Sequence, residues 1–91
     1  MAINIKIPTG LRRFVDNNSE FNVEAATVGD ALFAIGKQHP GFARKTMNDD
    51  GKLKSFVRVF VNAKAIRPQE FDQAHLNNGD EIALMTAIAG G

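Results

Sequence analysis

The chain has no cysteine among its 91 residues. That absence excludes disulfides, thiolate metal sites and thiol catalysis together. It has no run of about 18 apolar residues, so no segment is expected to span a membrane. Its N-terminus lacks the basic stretch and apolar run of a secretory signal, which makes the cytoplasm the expected location. Charge of one sign is also scarce, since 11 Lys and Arg against 10 Asp and Glu leave a formal net charge of +1. Tight phosphate binding needs a concentrated basic footprint, so nucleic acid is not expected as the main partner. The basic clusters are Arg12-Arg13 and Lys52/Lys54. They read as solvated charge or, alternatively, as a dock for an acidic partner.

Catalytic groups are missing as well. His39 falls at a helix end and His75 in a turn, with no serine or cysteine nucleophile in sequence context for either. The glycines are scattered and make no phosphate loop. Asn48-Asp49-Asp50-Gly51 is turn chemistry, but its acids do not alternate as a calcium loop requires. No catalytic residue, no metal ligand and no bound cofactor is therefore assigned.

What is present is one ordinary globular domain. Apolar residues make up 44% and charged residues 23%, and a chain of this length buries roughly 60–65% of its unfolded surface. Ala2 to Ile7 alternates, with Ile3, Ile5 and Ile7 on one face, as a half-buried strand does. Leu11 to Val15 is compatible with a continued strand or with a turn that tucks in Leu11 and Phe14. Asp16 to Ser19 is a turn, and Glu20 to Glu24 alternates again with Phe21 and Val23 inward. Thr27 and Asp30 fit a helix N-cap and its third-position acid, followed by Val28, Leu32 and Ile35 at helical spacing. His39-Pro40-Gly41 is expected to stop that helix. Phe42 to Ser55 reads as irregular, with Phe42 and Met47 anchoring a short helical turn.

Phe56 to Val61 is the strongest strand, with Val57, Val59 and Val61 facing one way and Arg58 and Phe60 the other. A short strand around Ala65-Ile66 and an apolar-anchored turn from Phe71 to Leu76 follow. The last strand, Glu81 to Met85, turns Ile82 and Leu84 inward. One helix covers only one face of a sheet, which implies a two-layer α+β domain. The first and last strands carry the most continuous inward stripes and are expected side by side and parallel at the sheet centre. That arrangement is the β-grasp of ubiquitin: a mixed sheet packed on one main helix, expected over residues 1–86.

Residues 87–91 are expected to be a flexible C-terminal tail, Ala87-Ile88-Ala89-Gly90-Gly91. Two terminal glycines lack a Cβ, so the backbone can enter a channel too narrow for other residues. Counted from Thr86, six extended residues reach about 20 Å, enough to carry the Gly91 carboxylate into another protein's active site. Taken alone, a Gly-Gly end is equally compatible with an incidental terminus.

Five stretches stand out together: Ile7-Pro8-Thr9-Gly10-Leu11-Arg12, Gly51-Lys52-Leu53, Val57-Arg58-Val59-Phe60-Val61-Asn62, Leu76-x-x-Gly79-Asp80-x-Ile82 and the Ala87-to-Gly91 end. On these residues the chain resembles the small ubiquitin-like sulfur carriers of the ThiS/MoaD type, closest to the carrier of cysteine biosynthesis. The resemblance implies a protein co-substrate rather than an enzyme. An adenylyltransferase of the ubiquitin-activating type uses ATP to make an acyl-adenylate at Gly91. Sulfur then replaces the AMP to leave a thiocarboxylate, and a downstream synthase consumes it. Without cysteine, a C-terminal thioacid is the one site in these residues for transferable sulfur.

Strand alternation also suggests a partner surface. Lys6, Arg58, Phe60, Ala83 and Met85 should share the sheet face away from the helix. An outward Phe60 and Met85 form a docking patch beside the root of the tail, unless the irregular 42–55 segment covers them. Two alternatives to the carrier remain: a ubiquitin-like modifier conjugated through Gly91 to lysines of target proteins, and a β-grasp interaction module with an inert tail. Molybdopterin or thiamine pathways are alternative destinations for the sulfur.

Overall fold

The computed structural model describes residues 1–49 and 52–86. The expected tail, Ala87 to Gly91, and Asp50-Gly51 of the expected turn lie outside the described residues.

Among the described residues there are five strands, β1 (Ala2–Lys6), β2 (Glu20–Glu24), β3 (Val57–Val61), β4 (Lys64–Ile66) and β5 (Glu81–Thr86). They form one sheet in the order β2-β1-β5-β3-β4. β1 and β5 are the parallel pair, with Ile5 opposite Ile82, and every other pairing is antiparallel. Helix α1 (Val28–Gln38) lies over the face that carries Ile3, Ile5, Val59, Ile82 and Leu84, all of them buried. This is the two-layer β-grasp that the alternation patterns imply.

Helix α1 begins where its capping chemistry dictates. Thr27 is extended, and its Oγ1 accepts from the Asp30 amide at 3.1 Å, satisfying one of the orphan N–H groups of the first turn. The helix buries Val28, Ala31, Leu32 and Ile35, the stripe expected from its spacing. Burying each large aliphatic side chain contributes roughly 1.5–3 kcal/mol.

Two segments differ from their expectation. His39-Pro40-Gly41 does end α1, but Pro40 also opens a second helix, α2 (Pro40–Thr46). A proline in the first helical turn gives up an amide that would have no intrahelical partner, so the same residue stops one helix and starts the next. Phe42 of α2 is fully buried, and the buried Thr46 hydroxyl donates to the Phe42 carbonyl at 2.8 Å. The segment read as irregular therefore opens with helix, from Phe42 to Thr46. After it, Met47 bridges to Leu53, closed by Lys54 N to Thr46 O and Asn48 N to Lys52 O, each at 2.7 Å.

The second difference is Thr9–Val15, which forms a 3₁₀ helix. Leu11 and Val15 are buried there and Phe14 is half-buried, so Val15 rather than Phe14 is the deeper anchor. Among the described residues, no helix is long and apolar enough to cross a membrane.

Candidate functional site

β5 is the strand that would carry a C-terminal tail, so what holds β5 sets the geometry of the site. Its start is held by three polar residues. The Asp80 carboxylate accepts from the Asn77 amide at 2.8 Å and from Asn62 Nδ2 at 3.0 Å. The Asn62 Oδ1 accepts from the Glu81 amide at 3.0 Å, and the Asn62 amide donates to the Glu81 carbonyl at 2.9 Å. Gly79, at φ +89°, donates its amide to the Ala2 carbonyl at 2.8 Å. Buried Leu76 donates to the Ala26 carbonyl at 2.8 Å. The Leu76-x-x-Gly79-Asp80 motif is thus a clamp that ties the root of β5 to β1 and to the β3–β4 turn. The Asn77 amide, with the Asn62 side chain, holds the Asp80 carboxyl below its ordinary value.

At its other end β5 loses a neighbour. Its parallel pairing with β1 stops at Lys6–Ala83, whereas β3 accompanies it to Val57–Thr86. Leu84, Met85 and Thr86 therefore leave the sheet centre along β3 alone.

The outward sheet face collects the side chains that alternation assigned to it. Across the sheet, Lys6 stands next to Ala83, Ala83 next to Phe60 and Phe60 next to Ala65; one step along, Arg58 pairs with Met85. Met85 is 53% exposed, Arg58 is exposed and Phe60 is half-buried. Most large apolar side chains of a small domain are buried, so an exposed methionine beside Phe60 marks an uncovered apolar strip. The 42–49 and 52–55 residues do not bury Met85.

Lys6 is not a free cation. Its Nζ lies 2.7 Å from Glu20 Oε2 and 3.9 Å from Glu81 Oε1, so one ammonium links β2, β1 and β5. The hydrogen bond and charge of Glu20 raise the Lys6 ammonium above its ordinary value, with Glu81 adding to the effect. Lys6 in turn lowers the Glu20 carboxyl. The strip thus has an apolar centre, an acid-rich end at Glu20 and Glu81, and a basic end at Arg58.

Both histidines lie elsewhere. The His39 ring packs on Phe21 with centroids 5.2 Å apart, and its carbonyl accepts from the Phe42 and Ala43 amides, so it serves the junction of α1 and α2. His75 bridges to Thr27 at the start of α1. Among the described residues, no three His, Asp or Glu side chains form a group that could hold a metal ion.

Comparison with known proteins places this geometry. The ThiS family model matches residues 5–91. The chain belongs to the ThiS family. Among its relatives, Small archaeal modifier protein 1 of Haloferax volcanii is 39% identical over 66 residues, covering 72% of this chain and 71% of that one. Sulfur carrier protein CysO of Mycobacterium tuberculosis is 26% identical over 93 aligned positions, covering the whole of both chains. A crystal structure of the Amycolatopsis orientalis BexX/CysO complex contains a chain that superposes with a TM-score of 0.85 at 28% identity, covering 99% of this chain and 100% of that one. The sequence is thus that of a sulfur carrier or small modifier of ThiS type, with a ubiquitin-like β-grasp.

Within this ThiS-family domain, Lys6, Arg58, Phe60 and Met85 share one face, while Gly91 and the 87–90 tail lie outside the described residues. Sequence reading missed Glu20 and Glu81 as partners of Lys6. Glu20 could have been found, because antiparallel pairing of Ala2–Lys6 with Glu20–Glu24 puts Lys6 directly opposite it. It also missed Asn62, whose role depends on a partner 18 residues away.

Proposed function

We propose that this chain is a sulfur carrier whose Gly91 carboxylate is the reacting group. The single observation that carries the proposal is the ThiS family match, which runs through residue 91. A carboxylate is a poor electrophile. An activating enzyme of the ubiquitin type joins it to the α-phosphorus of ATP, releasing pyrophosphate and leaving an acyl-adenylate with AMP as leaving group. A sulfide-level donor attacks the carbonyl carbon, the C–O bond to AMP breaks, and the terminal carboxylate becomes a thiocarboxylate. ATP belongs to the enzyme, and this chain holds no cofactor of its own. Since the 91 residues include no cysteine, a thioacid is where they can hold transferable sulfur.

The domain of residues 1–86 is the handle and residues 87–91 are the leash. The activating enzyme grips the strip of Phe60, Met85 and Arg58, beside the point where β5 departs. That a CysO occurs in complex with BexX supports a protein partner for the carrier form. The CysO relatives favour a sulfur-accepting synthase of cysteine biosynthesis as consumer, and the cytoplasm is where this chemistry takes place. A second reading rests on the modifier relative at 39% identity. In it the same activated glycine is transferred to a lysine amine of another protein, forming an isopeptide.

The test is a chain carrying one extra alanine after Gly91, in a host that cannot trim it. The proposal expects loss of activation and of sulfur transfer with the fold unchanged. Normal transfer from the extended chain would overturn it. Isopeptide conjugates without a thiocarboxylate species in the unextended chain would favour the modifier reading instead.

A further inference from the structure

Helix α1 carries a second feature that the sheet face does not explain. Phe33 is 69% exposed, the largest exposure of any big apolar side chain among the described residues. It lies off the buried stripe of α1, on the face it shares with Gly29, Gly36 and Lys37 at helical spacing. The two glycines leave that face hollow on either side of the ring. At one end Gly36 lets α2 approach, since a Cβ there would come within 3.2 Å of the Ala43 Cβ. At the other end Gly29 lies against the turn after β4, where a Cβ would come within 2.6 Å of Asp72 Oδ1. Between these contacts lies an open groove of about 1350 Å³.

The groove has an apolar floor and a basic rim. Phe33, Met47, Leu53 and Phe71 line the floor, and the last three are half-buried against the core. Lys37, Arg44, Lys52 and Lys54 line the rim, against Asp49 and Asp72. Among the described residues, four cations and two carboxylates line this groove; Lys54 Nζ also donates to the Arg44 carbonyl at 3.3 Å, whereas Lys37 and Arg44 are exposed. The groove also contains the Lys52/Lys54 cluster.

We propose that this groove is a second docking site, occupied by a peptide segment of a partner protein that presents apolar side chains flanked by aspartate or glutamate. Apolar anchors fit a floor of aromatic, methionine and leucine side chains. Acidic flanks match the rim, which steers the encounter and fixes the register. A nucleic acid would need more phosphate contacts than a rim interrupted by two carboxylates provides. The groove is built on the outer side of the helix layer, whereas Phe60 and Met85 lie on the opposite face of the sheet. A segment seated here leaves the sheet face open, so a partner can hold the domain while a different protein handles its C-terminal end.

The test selects a displayed library of random short peptides on the immobilised full chain, then measures the strongest binder by calorimetry and by amide shift mapping. The inference expects binders that combine Asp or Glu with Leu, Ile, Phe or Met, with shifts centred on Phe33, Gly36 and Lys37. Phe33→Asp and Lys37→Glu should each weaken binding roughly tenfold or more, and added salt should weaken it further. Phe33 is exposed, so neither change threatens the fold, and Phe60→Asp should leave the affinity unchanged. Recovery of no binder, of binders lacking acids, of a binder mapped to the sheet face, or of one unaffected by Phe33→Asp would overturn the inference. Concentration-dependent self-association through Phe33 would also overturn it, by assigning the groove to a second copy of the chain.

Discussion

Replacing Phe60 by aspartate separates docking from folding. The ring is half-buried in the middle of the outward strip, between Ala83 and Ala65, with Arg58 two residues away on the same strand. Its exposed part is what a partner would cover. Losing that contact removes roughly 1–1.5 kcal/mol, half the transfer free energy of a fully buried phenylalanine. Burying a new carboxylate against an apolar partner surface adds a comparable or larger penalty. The total, about 2–4 kcal/mol, corresponds to a fall of roughly 30- to 700-fold in kcat/KM for activation. The domain should lose only about 1–2 kcal/mol, because the position is a partly exposed strand site, and a typical stability of 5–15 kcal/mol absorbs that. The assay is pyrophosphate exchange driven by the activating enzyme, run beside thermal unfolding. Phe60→Leu should stay within about fivefold of the parent, since an apolar side chain of similar size keeps the contact. Activation of Phe60→Asp at the parental rate would remove the strip from the account, as would a loss of activity matched by loss of the fold.

Two glycines should respond in opposite order to their steric surroundings. Gly79 meets nothing within 4 Å yet sits at φ +89°, so Gly79→Ala should cost about 1–2 kcal/mol through backbone strain alone, lowering Tm by roughly 5–15 °C. Gly29→Ala would press on Asp72 Oδ1, the movable end of a side chain, while gaining helix propensity, so its stability should change by no more than about 0.5 kcal/mol. Calorimetric unfolding of both checks the order, and a larger loss at Gly29 would contradict it. The Asp80 carboxyl is held below its ordinary value by the Asn77 amide and Asn62. Its contribution is therefore complete above the ordinary carboxylate range and lost as pH falls through its lowered value. Asp80→Asn should flatten the acid side of the stability profile, measured by urea unfolding from neutral pH downward. An unchanged acid slope would show that the clamp draws nothing from that charge.

Much of this fold was legible because its signals are local. Ile3, Ile5 and Ile7 alternate cleanly and all three are buried, and Thr27 caps Asp30 over three residues. Placing β1 beside β5 followed from which strands had inward stripes. Pro40 signals only a stop in the sequence, because one residue can end a helix and begin another, and the difference lies in whether Phe42 finds a core to enter. Leu11, Phe14 and Val15 fit both a strand and a turn, and only packing chose the 3₁₀ helix. Asn62 and the groove beside Phe33 were not legible, because each depends on residues brought together across the chain. The outward strip was legible residue by residue, and Glu20 opposite Lys6 follows from the β1–β2 hairpin register, whereas the approach of Lys6 to Glu81 on β5 was not.

The most direct measurement is intact mass of the full chain after incubation with ATP, a sulfide source and the host's activating enzyme, followed by sequencing of the terminal peptide. The account expects one oxygen replaced by one sulfur, on Gly91 and dependent on ATP. A chain that stays at its starting mass while the same enzyme converts a known carrier would contradict it.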